Sequence, residues 1–195
     1  LEALHSVTNG EIDVYDDPLI RNIGKYITQV QIDDRYFVNF ADADAQVSPP
    51  PFLVYQYGKR IQDPDMMRMG AYFADREKVA THGVQERLYH PANHIARQIP
   101  ALLSIGELLE AESAQPLPRD VWLPNIQVVT ARDQAGTANG FYIAAKGGHN
   151  AESHNHNDVG HCIVYVDGKP VIVDPGVETY TINTFSPNRY DIWTM

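Results

Sequence analysis

The residues best able to do chemistry lie in one stretch, Gly147-Gly148-His149-Asn150-Ala151-Glu152-Ser153-His154-Asn155-His156-Asn157-Asp158-Val159-Gly160-His161, which holds four of the chain's eight histidines. In extended backbone alternate side chains point the same way, so His154 and His156 would present two imidazoles to one side. Such a pair can chelate. Imidazole nitrogens suit zinc and similar ions, and a carboxylate is a common third ligand. Asp174 ends the following hairpin, which folds it back toward the histidines. The competing reading is a polar turn whose Asn, Asp and His side chains satisfy the loop's own backbone. The density of His, Asn and acid beside two glycines favours a functional site.

These residues must be positioned by the elements around them, and from Pro116 onward the pattern has a period of two. Residues 126–131, 140–146, 160–166 and 170–174 are short β-rich runs separated by Gly, Asn and Asp. Val166-Asp167-Gly168-Lys169 carries the strongest local signal, an Asp-Gly pair suited to a two-residue type I′ hairpin turn. If Val166 pairs with Lys169, counting back sets His161 opposite Asp174. His161 then competes with His156 as the partner of Asp174. Five positions apart, the two histidines face opposite sides of an unbroken strand, and a bulge within 157–160 would be needed to unite them. Spacing leaves both open.

Residues 1–115 read mainly as helix. Asp17-Pro18 and Asp63-Pro64 are start signals, with Asp as N-cap and Pro at the first helical position. Leu19, Ile20, Ile23, Tyr26, Ile27 and Val30 follow the first as one expected buried stripe, and Met66, Met67, Gly70 and Phe73 follow the second. A third series, Leu102, Leu103, Ile105, Leu108 and Leu109, follows Ile99-Pro100. Arg35 to Phe40 alternates like a short strand, and Ser48-Pro49-Pro50-Pro51 is a stiff connection. Helices followed by strands predict an α+β chain: residues 1–115 helical, and residues 116–195 an antiparallel β portion carrying the histidines.

The 195 residues include 15 basic and 25 acidic side chains, a net charge of −10, with 44% apolar and 21% charged residues. That composition supports a packed core and excludes a wholly disordered chain. The acidic balance argues against a nucleic-acid partner, and no window approaches the ~18 apolar residues of a membrane span. A single cysteine, Cys162, rules out an internal disulfide framework. The start, Leu1-Glu2-Ala3-Leu4-His5, lacks an initiator Met and a signal-peptide core, and leads us to expect an excerpt of a longer protein. Weaker candidates have duller readings. Asp42-Ala43-Asp44 could bind a cation but reads first as solvated surface. His82, His90 and His94 read as helix-end or packing residues, and Cys162 as a small buried hydrophobe. Arg132 and Arg189 could meet an anionic substrate, against the alternative of surface ion pairing.

The run Gly147-Gly148-x-Asn150-x-Glu152-x-His154-Asn155-His156-x-Asp158-x-Gly160, followed by Asp167-Gly168-Lys169-Pro170 and Val173-Asp174-x-Gly176, resembles the heparinase II/III-like polysaccharide lyases. The likeness continues through Tyr180-Thr181, Phe185 and Arg189-Tyr190-x-x-Trp193, and backward through Gln127-Val128-x-x-x-Arg132-Asp133. It implies the C-terminal helices of an incomplete α/α toroid followed by the first strands of an antiparallel β-sandwich, with the active site in the cleft between them. It also implies β-elimination at a uronic acid of an acidic polysaccharide, of glycosaminoglycan or alginate type. By position, His154 matches the histidine that faces substrate, and His156 and Asp174 match two zinc ligands. Asn150, Glu152, Arg189 and Tyr190 are the implied substrate-binding positions. The zinc would be mainly structural, fixing the loop that presents His154. The resemblance further implies a periplasmic or secreted bacterial setting and admits a homodimer.

The third zinc ligand of that family, a histidine, would lie beyond Met195, and its catalytic tyrosine and Asn-His pair before Leu1. The expectation is that this polypeptide alone is not a competent lyase and binds a polyanion weakly. Two readings of other classes compete. Gly148-x5-His154-x-His156-x4-His161-x6-Gly168 has the spacing of a cupin metal motif, although no histidine follows His161. The other is a non-catalytic carbohydrate-binding module in which the loop is ordinary hydrogen-bonding structure.

Overall fold

Both Asp-Pro signals start helices. Asp17 accepts from Leu19 N–H at 2.7 Å and opens α2, Pro18–Gln29, and Asp63 accepts from Met66 N–H at 2.9 Å and opens α4, Pro64–Arg76. Each carboxylate satisfies an amide that the first turn leaves without a partner. The computed structural model describes residues 1–82, 95–154, 156–176, 182 and 184–187. Its other helices are α1, Glu2–Val7; α3, Pro51–Ile61; α5, Val79–His82; and α6, Ile95–Glu110. No helix among the described residues is long and apolar enough to cross a membrane. The stiff proline run turns out to start α3, with Pro51 at its first position, where a missing N–H costs nothing. Pro100 lies inside α6 instead of before it.

The expected stripe on α2 is split. Ile20, Ile27 and Val30 pack on the core, while Leu19 and Ile23 are 60% and 58% exposed. The inward row passes through Gly24, where an added Cβ would lie 2.2 Å from the Tyr57 ring, so the face that receives Tyr57 is the buried one. α6 likewise buries Ala101, Ser104 and Leu108 and leaves Leu102 and Leu103 exposed. Among the described residues the most extensive helix contact is α3 on α4. An added Cβ at Gly70 would sit 2.7 Å from Tyr55 N and 2.9 Å from Pro51 O, main-chain atoms that cannot rotate away. Overpacking costs about 1–3 kcal/mol and exceeds the roughly 1 kcal/mol an alanine gains in a helix. Gly70→Ala is therefore expected to lower stability by about 1–2 kcal/mol, read as an earlier urea midpoint.

The β portion is a five-stranded antiparallel meander in the order β3-β4-β5-β6-β7. Its strands are β3, Asp120–Leu123; β4, Val128–Arg132; β5, Phe141–Lys146; β6, Cys162–Val166; and β7, Lys169–Ile172. A separate two-stranded ribbon joins β1, Gln31–Asp33, to β2, Tyr36–Phe37. Asp167 and Gly168 have φ of +49° and +70°, as a type I′ turn requires, and Val166 pairs with Lys169. One sheet face, with Tyr142, Ala144, Ile163 and Tyr165, shares a continuous core with Val30, Ile32, Phe37, Met69 and Phe73 from the helices and ribbon. The other face leaves Trp122, Phe141 and Ile143 exposed, and Cys162 is half-buried.

Arg132 differs from both of its expected roles. It is 5% exposed and faces inward. It donates to Gln31 O at 2.6 Å, Ile32 O at 3.1 Å, Thr137 O at 3.2 Å and Pro118 O at 3.0 Å, and its guanidinium lies 4.8 Å from the Tyr142 ring centroid. Burial pulls its pKa below that of a free guanidinium. The side chain ties the β1 ribbon to the sheet instead of meeting solvent or substrate.

Candidate functional site

The histidine loop connects β5 to β6, and its neck is held by the main chain. Lys146 N donates to His161 O at 3.0 Å, Gly160 N to Lys146 O at 2.8 Å, and Gly147 N to Gln127 O at 2.7 Å. Gly148 has φ +82°, a left-handed conformation that favours glycine at this position. Glu152 pairs with the buried ammonium of Lys146, which holds its carboxyl below the usual carboxylate range. That ion pair pins the loop's first turn to the end of β5. Asn150 is exposed beside it.

His154 stands at the rim, 69% exposed in its side chain, in a left-handed conformation with φ +57°. Its Nδ1 lies 2.6 Å from Asp42 Oδ2. Asp42 belongs to the segment after β2, which packs against the histidine loop. Ala41 N donates to Asp158 Oδ2 at 2.9 Å, Asn39 Nδ2 donates to Asp174 O at 3.5 Å, and the Phe40 ring meets His161 edge-on at 6.0 Å. Residues 39–42 therefore clamp the histidine loop onto the helical side. The sequence marks Asp42 only through the Asp42-Ala43-Asp44 pattern, which reads first as solvated surface. The partnership spans more than a hundred residues of chain, which no local pattern reports.

Asp174 meets His161. Nε2 of His161 is 3.5 Å from Asp174 Oδ2, and the carboxylate side chain is only 6% exposed. The register differs from simple counting, because Val164 pairs with Ile172 and a bulge intervenes between Val164 and Tyr165. The two side chains converge nonetheless. His156 is half-buried and makes no ion pair with Asp174. Asn155, Arg189, Tyr190, Tyr180, Thr181, Trp193, His90 and His94 lie outside the described residues, as does the His82 side chain.

The donor set fits a zinc-type ion in one respect. His161 Nε2 is buried with no hydrogen-bond partner, and so is Asp158 Oδ1. Zinc bonds of 2.0–2.2 Å at tetrahedral angles place two donors about 3.4 Å apart, close to the spacing of His161 and Asp174. Among the described residues no group of three His, Cys, Asp or Glu side chains converges as a metal cage. No family model matches the chain, and no curated protein matches it.

Proposed function

We propose that this chain is part of a polysaccharide lyase of the heparinase II/III-like type, combining the last helices of an α/α toroid with the first strands of a β-sandwich. Its substrate would be a uronic-acid-containing polysaccharide, met in the periplasm or outside the cell. The observation that carries this reading is the histidine loop itself. It is pinned at its neck, packed against a segment from the helical side, and presents His154 outward at the junction of the two parts. The apolar outer face of the sheet supports the sandwich element, since a sheet apolar on both faces is suited to a second packed layer.

In the proposed reaction a base takes the C5 proton of the uronate, the C4–O bond breaks, a C4=C5 double bond forms, and the departing oxygen is protonated. His154 exchanges a proton at the rim, and acid–base groups of this kind contribute ~10²–10⁴ each. The tyrosine, the carboxylate-neutralising pair and a third metal ligand would come from chain outside residues 1–195. Zinc, when bound, would supply rigidity to the loop. His156 and Asp174 are its proposed ligands, with His161 as the alternative that already adjoins Asp174.

Metal analysis tests the assignment. Stoichiometric zinc is expected in the full-length protein that contains this chain, and its loss is expected in His156→Ala and in Asp174→Ala. Zinc retained in His156→Ala but lost in His161→Ala would contradict the ligand set. That outcome would instead assign His161, which already adjoins Asp174, whereas the cupin-like pattern uses His156 as well and would require loss in both variants; the described sheet is also an open meander and not a closed barrel. A protein without zinc and without cleavage of any polymer would favour the carbohydrate-binding reading.

A further inference from the structure

We propose that Asp42 is a positioning residue for His154, fixing its ring so that Nδ1 carries the proton and Nε2 faces outward as the reacting nitrogen. An ionised carboxylate can only accept, so the 2.6 Å contact between Asp42 Oδ2 and His154 Nδ1 requires the proton on Nδ1. The remaining nitrogen then offers its lone pair toward solvent, where the exposed ring can meet a ligand.

The clamp around Asp42 does not need this carboxylate. Ala41 N is held by Asp158, Asn39 by the Asp174 carbonyl, and Phe40 by the His161 ring. With the segment anchored by its neighbours, the Asp42 side chain is left to orient the imidazole. Unusual backbone occurs at one partner of the pair and just before the other. His154 has φ +57° and Ala41, immediately before Asp42, has φ +62°. Left-handed conformations are disfavoured for residues other than glycine and persist where the surroundings enforce them.

The consequence for catalysis rests on the lyase reading above, whereas the geometric claim does not. It is tested by long-range proton–nitrogen NMR of the histidine-labelled chain, at a pH where imidazole is neutral. The wild-type His154 ring should carry a clearly larger Nδ1–H fraction than a free histidine, whose neutral ring favours Nε2–H. Asp42→Ala should move its tautomer ratio roughly fivefold toward Nε2–H, the upper end of what a partly exposed charged pair sustains. Asp44→Ala, at an exposed carboxylate two residues away, should leave the ratio unchanged. A wild-type ring with no more Nδ1–H than a free histidine would overturn the proposal, and so would an Asp42→Ala spectrum identical to wild type or an equal shift in Asp44→Ala. In a full-length protein that cleaves uronides, Asp42→Ala should lower kcat several-fold, in step with the tautomer shift, with KM little changed. If the tautomer shifts but the wild type cleaves no polymer, the lyase reading fails while the positioning role stands.

Discussion

Replacing Arg132 with methionine is expected to cost about 3 kcal/mol of stability, a fall of roughly 10 °C in Tm for a chain of this size. Two opposing effects decide the sign. Burying a guanidinium carries a desolvation penalty, which is why its pKa is drawn down, and removing the charge relieves that penalty. Swapping a buried ion pair for apolar residues is often neutral because both charged partners leave together. Here the partners are the carbonyls of Gln31, Ile32, Pro118 and Thr137, which belong to the backbone and stay behind. Buried acceptors stripped of a donor cost about 1–3 kcal/mol each where no other donor reaches them, and methionine has none to offer. The loss therefore outweighs the relief. Arg132→Lys should recover only part of it, since one ammonium cannot reach four oxygens spread across three segments. Chemical denaturation checks both variants, and a change below about 0.5 kcal/mol for Arg132→Met would show that the guanidinium is not what joins ribbon to sheet.

The second large effect is on chemistry. His154→Ala in the full-length protein is expected to lower kcat/KM for uronide cleavage by ~10²–10⁴, the usual contribution of one acid–base group. The side chain is a rim residue, 69% exposed, and none of the main-chain bonds at the loop's neck involves it. Loss of rate should therefore come without loss of fold, and the melting temperature of His154→Ala should stay within a degree or two of wild type. A parallel fall in stability would instead assign His154 a structural role.

Short-range features were the ones legible in the sequence. The Asp17-Pro18 and Asp63-Pro64 helix starts and the Asp167-Gly168 hairpin all depend on chemistry within four residues, and each appears where the local pattern puts it. The meeting of His161 with Asp174 was also within reach, because a tight turn sets the register of the strands it joins. The bulge next to Tyr165 changes the backbone pairing without separating those two side chains. What stayed hidden depends on distant chain. Arg132 looked like a surface charge because its partners are carbonyls, and any sequence supplies carbonyls. Asp42 looked solvated because its partner lies on the far side of the sheet's long loop. The outward turn of Leu19 and Ile23 on α2 reflects a space requirement at Gly24, where Tyr57 from α3 takes the room a side chain would need.

Taken together, the anchored loop, the clamp from residues 39–42 and the outward His154 describe a rim built to present one imidazole. The net charge of −10 does not argue against a polyanionic ligand, because a cleft can be locally basic on an acidic protein. The most direct test offers heparan sulfate, chondroitin, hyaluronan and alginate to the zinc-loaded full-length protein that contains this chain, and follows the ultraviolet absorbance of unsaturated uronide products. At least one polymer should yield unsaturated product, and the His154→Ala protein should lose nearly all of that signal. No unsaturated product from any of the four, or an undiminished rate in His154→Ala, would contradict the account.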